Sequence, residues 1–251
     1  MATSPTQAER IRINTLVALY QERLRELETF LGQLQAVLIN AKNPLAPHVH
    51  SFKYRIKDRS SLRDKLNRKL NEAKENGQPF DITPENFFVR INDLIGVRIL
   101  HLYTRQTTKI DTAIKDLIGE AGLTISEGPF ARTWDNETTT YFNTIGIETR
   151  ESGPSMYTSV HYIIDSNSKT RYTAELQVRT LAEELWGEVT HKIDYPHPCR
   201  DLACREQIRV LARVASSCTR VVDSIFLTYD RFKESRKRRN KGSKKTKRSR
   251  R

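Results

Sequence analysis

The sequence predicts an α/β (α+β) fold, in which a mixed β-sheet is flanked by helices and long helices lie towards both ends of the chain. Segments that alternate apolar and polar residues are interleaved with segments of helical periodicity, and two alternating segments are adjacent, as in a hairpin. The chain has 251 residues, of which 37% are hydrophobic and 29% charged. This composition supports a buried core and contains no run long enough to span a membrane.

The N-terminus and the cysteines indicate the cellular compartment. The first residues, MATSPTQAERIRIN, carry charges where a signal peptide has an apolar segment. Three cysteines, Cys199, Cys204 and Cys218, are too few for a disulfide framework. Cys199 and Cys204 with His197 do not have the spacing of a zinc finger either. We therefore expect a cytoplasmic protein.

Four segments are expected along the chain: an N-terminal helix in residues 1–45, a central domain in 46–200, a C-terminal helix in 201–232 and a disordered basic tail in 233–251. Residues 7–40 are predicted to form one helix whose apolar stripe is Tyr20, Leu24, Leu27, Leu31, Leu34 and Leu38. Residues 202–232 are predicted to form another, with the stripe Leu211, Val214, Cys218, Val221, Ile225 and Tyr229. The first stripe requires a covering surface, either the body of the domain or a partner helix.

The net charge of +13 is concentrated at the C-terminus. From Lys233 onward there are twelve Lys or Arg residues and one acid, Glu234, so residues 1–232 carry only +2. Such a segment repels itself and has no apolar residue to bury, which predicts a mobile arm. The arm is either a solubilising tail without a dedicated partner or a sequence-independent, salt-sensitive binding site for RNA, DNA or an anionic membrane.

The remaining elements follow from local patterns. Residues 52–57 alternate like a strand, and Ser60 or Ser61, with Asp64 behind it, is the expected N-cap of a helix that ends near Gly77. After a short helical stretch, a strand is predicted over 97–103 and a helix over 107–120. A further strand is expected to start at Gly122.

Two alternating segments, 157–165 and 171–179, predict an antiparallel hairpin joined by a turn at Asn167 and Ser168. Apolar residues of the two strands must meet on one face, so the polar residues must share the other face. That shared face is predicted to carry Tyr157, Ser159, His161, Glu175, Gln177 and Arg179.

Residues 52–69 combine cations with the start of a helix. Arg55 and Lys57 leave one side of the strand, and Lys65 and Lys69 continue the charge along the helix. Backbone N–H groups at a helix start favour anions, so this segment is either a phosphate site or a solvated basic face.

Two carboxylates are candidates for a metal site. Asp93 stands before an apolar strand that is interrupted by Arg98, and the two residues form either a structural ion pair or part of a site in which Asp93 holds Mg²⁺. Glu175 would be the second carboxylate because it lies on the polar face of the hairpin. Tyr157, at the start of that face, is either a surface aromatic or a platform on which a nucleobase stacks.

The motifs YRIKDRSSLRDK, NDLIGVRIL, YTSVHYII and ELQVRTLAEELWGEVTHKIDY occur in this order. Together they resemble the synthetase domain of the RelA/SpoT family over about residues 50–196. The resemblance implies a nucleotidyltransferase-like fold and transfer of the β,γ-pyrophosphate of ATP to the 3′ hydroxyl of GDP or GTP, which makes the alarmones ppGpp and pppGpp. The chain lacks the residues of the family's hydrolase domain, so a small stand-alone synthetase is expected.

The resemblance also implies roles on the ATP side. Arg55 resembles the arginine that stacks on adenine. Lys57, Ser61 and Lys65 resemble residues beside the ATP phosphates. Arg98 resembles a further cation of the same site.

On the acceptor side, Asp93 is similar to the magnesium aspartate. Glu175 is similar to the acid that completes the metal site or takes the proton of the attacking hydroxyl. Tyr157 resembles the tyrosine that stacks on guanine, and His161 a residue that supports the acceptor's phosphates. The remaining hairpin residues expected to bind the acceptor are Ser159, Gln177 and Arg179.

Three positions before Tyr157 depart from the family, which often has Lys, Asn and Gly where this chain has Gly153, Ser155 and Met156. Arg150 and Lys169 are candidates for the missing charge. The sequence therefore leaves three functions open: an alarmone synthetase, a toxic synthetase that pyrophosphorylates the 3′ end of tRNA, and an inactive module that binds RNA or the ribosome. Further partner classes left open are a second copy of the chain and an antitoxin.

Overall fold

The computed structural model describes residues 5–39, 44–152, 156–194 and 199–248, with side chains as far as residue 238. It divides the chain into two units. The first comprises residues 1–100 and 107–179, and the second comprises 101–106 and 180–251. All of the predicted site residues belong to the first unit.

The first unit is built on a six-stranded sheet. Its strands are β1 (Ser51–Ile56), β2 (Ile95–His101), β3 (Thr124–Thr133), β4 (Glu148–Glu151), β5 (Ser159–Asp165) and β6 (Thr173–Thr180), in the spatial order β1, β2, β6, β5, β3, β4. β3 and β4 pair in parallel, whereas β1–β2, β3–β5 and β5–β6 are antiparallel. The prediction of a mixed sheet is confirmed.

Six helices accompany this sheet: α1 (Gln7–Glu22), α2 (Leu24–Leu38), α3 (Arg59–Glu75), α4 (Phe87–Arg90), α5 (Thr107–Glu120) and α6 (Asn136–Thr144). The apolar faces of α1, α2, α3 and α5 and the inner residues of β2, β5 and β6 form one buried cluster. Because this core lies on one side of the sheet strands, alternation directs their polar side chains to the opposite side.

The prediction of a single N-terminal helix is wrong. The chain breaks at Arg23, whose φ of −101° and ψ of 12° end α1 before α2 begins. Because the chain is broken at Arg23, the apolar residues of both α1 and α2 can pack in the same core, which a single straight helix would not allow. The predicted stripe is nevertheless covered, since Tyr20, Leu27, Leu34 and Leu38 are buried.

The N-cap of α3 also differs from the prediction. Asp58, not Ser60 or Ser61, caps the helix, and its carboxylate accepts a hydrogen bond from the Ser61 N–H at 2.9 Å. Both serine hydroxyls donate to the same carboxylate. Aspartate is as good an N-cap as serine, so the local sequence did not separate the two residue types.

The bounds of other elements differ from the predicted ones by a few residues, and the region of α6 and β4 was not predicted. β2 begins at Ile95 and ends at His101, and β5 begins at Ser159, so Tyr157 precedes the strand. The helix over Thr107–Glu120 is confirmed. The sequence analysis did not predict α6 or β4, because their short segments show no clear period.

The predicted hairpin is confirmed with its register. His161 is opposite Gln177 and Ile163 is opposite Glu175, while Tyr162 is opposite Leu176 in the apolar row. The alternation of the two strands was therefore sufficient to identify which side chains share a face.

The second unit contains α7 (Leu181–Asp194) and α8 (Leu202–Arg248). The Trp186 indole N–H donates to the Ile208 carbonyl at 3.1 Å, and the Tyr103 ring stacks on Phe226 at 4.3 Å between centroids. The face of α8 that is buried in this unit includes Ile208, Ala212, Ala215 and Thr219.

The end of α8 differs from the prediction. The helix does not end near Phe232 but continues to Arg248 through residues predicted to be disordered, because Lys and Arg are good helix formers and no proline interrupts them. The predicted stripe is also largely on the outside: Val214, Val221 and Ile225 are each more than half exposed. Within the described residues, no helix is long and apolar enough to cross a bilayer.

Candidate functional site

The polar face of the sheet collects nearly all of the predicted site residues. Arg55 of β1 is opposite Gly96 of β2, and Arg98 lies two residues further along β2. Glu175 and His161 extend this face across β6 and β5. The structure thus brings the two halves of the predicted site together on one surface.

Asp93, immediately before β2, forms ion pairs with two lysines. Its Oδ2 lies 3.1 Å from Nζ of Lys57, and its Oδ1 lies 2.7 Å from Nζ of Lys65. Lys57 follows β1 and Lys65 projects from α3, so two elements converge on this carboxylate. The side chains of all three residues are less than one-fifth exposed.

The environment shifts the titration of this cluster. Burial acts to raise the pKa of Asp93, but the charges of Lys65 and Lys57 outweigh it and leave the pKa below its usual range. Burial also lowers the pKa of Lys57, and Asp93 restores only part of the loss. The cluster therefore holds a carboxylate that remains ionised at neutral pH.

Arg55 has room on the sheet because its neighbour is a glycine. A Cβ added to Gly96 would lie 3.1 Å from Nε and 3.2 Å from Cγ of Arg55. The arginine side chain therefore passes over Gly96. Its exposed position on the strand leaves the guanidinium available to a planar ligand.

Ser61, predicted beside the ATP phosphates, has its N–H and hydroxyl bonded to Asp58. These bonds hold the pKa of Asp58 below its usual range. In the first turn of α3, the donors of Ser61 are thus already bonded to a carboxylate.

Glu175 is held by His161. Its Oε1 lies 2.9 Å from Nδ1 of His161, and its side chain is 20% exposed, compared with 5% for the imidazole. Burial acts to raise the pKa of Glu175, but the contact with His161 outweighs it and leaves the pKa below its usual range. The charge of Asp93 also raises the pKa of Glu175, which places the two carboxylates within electrostatic reach of each other.

Tyr157 lies at the end of the same hairpin. Its hydroxyl donates to Oε1 of Gln177 at 3.1 Å, and the guanidinium of Arg179 lies 5.6 Å from its ring centroid. Burial raises the pKa of the tyrosine hydroxyl, although the nearby charge of Arg179 opposes this shift. Gln177 and Arg179 therefore hold this ring from the neighbouring strand.

Ser159 and Lys169 lie at different places on the hairpin. Ser159 is buried and its hydroxyl donates to the backbone carbonyl of Val178 at 3.3 Å, which is a structural contact. Lys169 is in the turn between β5 and β6, at the opposite end of the hairpin from Tyr157. Gly153 and Ser155 lie outside the described residues.

Phe130 of β3 is beside the site although the sequence analysis did not assign it there. It stacks on the His161 ring at 5.2 Å between centroids, with 7° between the planes. The guanidinium of Arg150, a candidate for the missing charge, lies 3.8 Å from the centroid of Phe130 and is paired with Glu127 and Glu148. No local pattern marks Phe130, because its contact depends on strand pairing between distant segments.

The donor set fits a magnesium ion. Mg²⁺ takes one or two carboxylates together with substrate phosphates, and Asp93, before β2, and Glu175, on β6, are two carboxylates with lowered pKa values. Lys57 and Lys65 beside Asp93 would face the same phosphates. We therefore assign Asp93 and Glu175 as the candidate holders of the ion.

Two solved structures share the fold. A GTP pyrophosphokinase family protein from Streptococcus pneumoniae aligns with a TM-score of 0.54 at 15% identity and covers 86% of this chain and 93% of its own. The protein smu.1046c from Streptococcus mutans UA159 aligns with a TM-score of 0.52 at 18% identity and covers 89% of this chain and 97% of its own. At sequence identities of 15% and 18%, these two matches show only that the chain shares the fold.

Curated protein sequences include no match to this chain. The family described as "Region found in RelA / SpoT proteins" matches residues 54–200. This match covers more than half of the chain and contains both carboxylates, both lysines of the Asp93 cluster and the whole hairpin. The chain belongs to the RelA/SpoT family.

Proposed function

We propose that the protein transfers the β,γ-pyrophosphate of ATP to the 3′ hydroxyl of GDP or GTP and so makes the alarmones ppGpp and pppGpp. One observation carries the proposal: the Asp93 cluster lies within electrostatic reach of Glu175, and Glu175 shares the hairpin with Tyr157. The family match agrees with this chemistry.

On the donor side, the cations neutralise the triphosphate. Arg55, lying over Gly96, stacks on the adenine ring. Lys57 and Lys65 turn from Asp93 towards the phosphates when ATP enters, and Arg98 adds charge from β2. Positioning and charge neutralisation provide most of the rate in such transfers.

On the acceptor side, the 3′ oxygen forms a bond to the β-phosphorus while the bond from that phosphorus to the α,β-bridging oxygen breaks and AMP leaves. Glu175 takes the proton of the attacking hydroxyl, and Tyr157 stacks on guanine. Mg²⁺ held by Asp93 and Glu175 would neutralise charge on the transferred group.

The test uses the full chain with γ-labelled ATP and Mg²⁺, offered GDP, GTP or deacylated tRNA in separate reactions. We expect label on the guanine nucleotide and release of AMP in equal amount. Label on none of the three acceptors, from a protein that binds ATP, would refute the proposal and favour an inactive binding module.

A second candidate is pyrophosphorylation of the 3′ end of tRNA. The observation that favours it is the continuation of α8 past Phe232 to Arg248, a stretch that carries nine net positive charges. Such a helix suits a polyanionic acceptor. Labelling of tRNA with no labelling of GDP or GTP would replace the first candidate with this one.

A further inference from the structure

Trp134 follows β3 directly and shares a sheet face with the acceptor side of the candidate site. In the antiparallel pairing of β3 with β5, Arg132 is opposite Ser159. Continuing this register by two residues places Trp134 opposite Tyr157, and residues opposite each other in such a pair share a face. The indole therefore belongs to the same face as the ring on which the proposed function stacks the acceptor base.

Hydrogen bonds hold the backbone on both sides of Trp134. The hydroxyls of Thr133 and Thr158 lie 3.0 Å apart, which supports the extended register. The Asp135 N–H donates to the Thr133 hydroxyl at 3.2 Å, where α6 begins. Trp134 is thus presented by a fixed junction between β3 and α6.

Trp134 lines a cavity of about 410 Å³ that is also bordered by β4 and α6. The other lining residues are polar and include Asn136, Thr139, Thr149 and Ser152. The volume is in the range of small-molecule sites. An aromatic wall surrounded by hydroxyl and amide groups suits a nucleobase, because a base stacks through its face and forms hydrogen bonds through its edges.

This cavity is separate from the surroundings of Tyr157. The Tyr157 hydroxyl donates to Gln177 at 3.1 Å, and the Arg179 guanidinium lies 5.6 Å from its ring centroid, so the ring is held from β6. Trp134 instead lines a cavity on the β4 side of the sheet. The two aromatic rings are therefore placed for two neighbouring bases and not for one.

The charges around the cavity favour a nucleoside over a polyphosphate. Arg150, which lines the cavity, is already paired with Glu127 at 2.5 Å and with Glu148 at 3.0 Å. Glu151 adds another carboxylate to the lining. A chain of phosphates would be repelled here, whereas a base and ribose joined through one phosphodiester would not.

We propose that Trp134 and this cavity form a second base subsite, which takes the base of the nucleotide that precedes the acceptor nucleotide at a single-stranded RNA 3′ end. The proposal rests on the proposed function only for the position of the acceptor base on Tyr157. It extends the acceptor class from mononucleotides to oligoribonucleotides with a free 3′ hydroxyl.

The kinetic test uses acceptors that differ by one nucleoside: the dinucleotide CpG against GMP, and CpA against AMP, in the labelled-ATP assay. We expect the KM of a dinucleotide to be lower than that of its mononucleotide by about 5- to 150-fold, the contribution of one stacked base. Trp134→Ala should remove this difference and leave the KM for the mononucleotide unchanged. Tyr229→Ala, at an exposed aromatic residue of the second unit, is the matched control and should preserve the difference.

Equal KM values for dinucleotide and mononucleotide in the parent would overturn the proposal, as would transfer to GDP but to neither dinucleotide. An equal rise in both KM values in Trp134→Ala would also overturn it, because Trp134 would then contact the acceptor base itself.

Tryptophan fluorescence provides a measurement that does not depend on activity. The chain has two tryptophans, and Trp186 is buried with its N–H bonded to the Ile208 carbonyl. The dinucleotides should quench the emission of the full chain more than the mononucleotides do. Trp134→Phe should lose this quenching but keep the KM difference, because phenylalanine still stacks.

Absence of quenching by both dinucleotides would refute the subsite. Quenching in a protein that transfers pyrophosphate to no acceptor, GDP and GTP included, would refute the proposed function alone.

Discussion

Nζ of Lys65 lies 2.7 Å from Oδ1 of Asp93, and this contact ties α3 to the start of β2. Lys57 approaches the other oxygen of the same carboxylate at 3.1 Å, so two cations surround one anion. The cluster carries a net positive charge in a partly buried position. It is therefore suited to a polyphosphate ligand and is also a structural link between a helix and the sheet.

Replacing either candidate carboxylate should abolish transfer, but with different effects on stability. Glu175→Gln should leave the melting temperature close to that of the parent. Asp93→Asn leaves Lys57 and Lys65 without their anion. We expect the free energy of unfolding to fall by about 2 to 3 kcal/mol, which is less than for a fully buried pair. Turnover and thermal melting of both variants provide the measurement. Near-parental turnover in either variant would contradict the metal-site assignment.

The cap of α3 should make stability depend on pH. The hydrogen bonds from Ser60 and Ser61 lower the pKa of Asp58 in the folded protein. The ionised carboxylate therefore stabilises the fold fully above about pH 4, the pKa of an unfolded Asp, and this stabilisation is lost as the pH falls towards the lower pKa of the folded state. Asp58→Ala should lower the free energy of unfolding by about 1 kcal/mol at pH 7 and by less at pH 3. Asp58→Asn keeps an acceptor oxygen and serves as the control. A cost of Asp58→Ala that is constant with pH would contradict this role.

The base-stacking roles should separate in the kinetics. Tyr157→Ala should raise the KM for the guanine nucleotide far more than that for ATP, because a stacked base contributes about 1 to 3 kcal/mol. Tyr157→Phe removes the hydroxyl, with its hydrogen bond to Gln177, but keeps the ring and should have a smaller effect. Arg55→Ala should raise the KM for ATP. Unchanged use of GDP and GTP by Tyr157→Ala, with impaired labelling of tRNA, would favour the tRNA function.

Gly96→Ala should act on the ATP site through Arg55. The added Cβ would lie 3.1 Å from the arginine Nε, so the side chain must shift. We expect a higher KM for ATP and an unchanged KM for the acceptor. Gly119→Ala is the matched control, because a Cβ there meets nothing within 4 Å. An unaltered ATP dependence of Gly96→Ala would show that the position of Arg55 over the glycine is not used in binding.

Deleting every residue after Phe232 should separate nucleotide chemistry from RNA binding. The deleted segment carries +11, whereas the retained chain carries +2. We expect synthesis to persist and RNA affinity to fall, and the affinity of the full chain should weaken steeply as salt rises. Both activities are measured for both proteins at two salt concentrations. Equal RNA binding by the truncated protein would show that the basic segment has no role in it.

Local patterns were sufficient for the hairpin. Alternation has a period of two along the chain, so the residues themselves determine which side chains share a face. Glu175 and His161 could therefore be placed together from the sequence, and the family motifs supplied their chemistry. The same reasoning found Asp93, because a carboxylate before an apolar strand is visible in the sequence.

Tertiary structure decided the features that depend on distant segments. The stripe of α8 illustrates this. Val221 and Ile225 have helical spacing but are exposed, whereas Ala212 and Ala215 are buried within the second unit. Periodicity defines a face and does not say which neighbour covers it.

The surroundings of His161 were decided in the same way. The sequence by itself determined that His161 and Glu175 share a strand face, because that relation follows from alternation within one hairpin. Only the pairing of β3 with β5 brings Phe130 onto the imidazole and buries it. A contact across more than thirty residues of chain depends on the packing of the whole sheet, and local alternation carries no information about it.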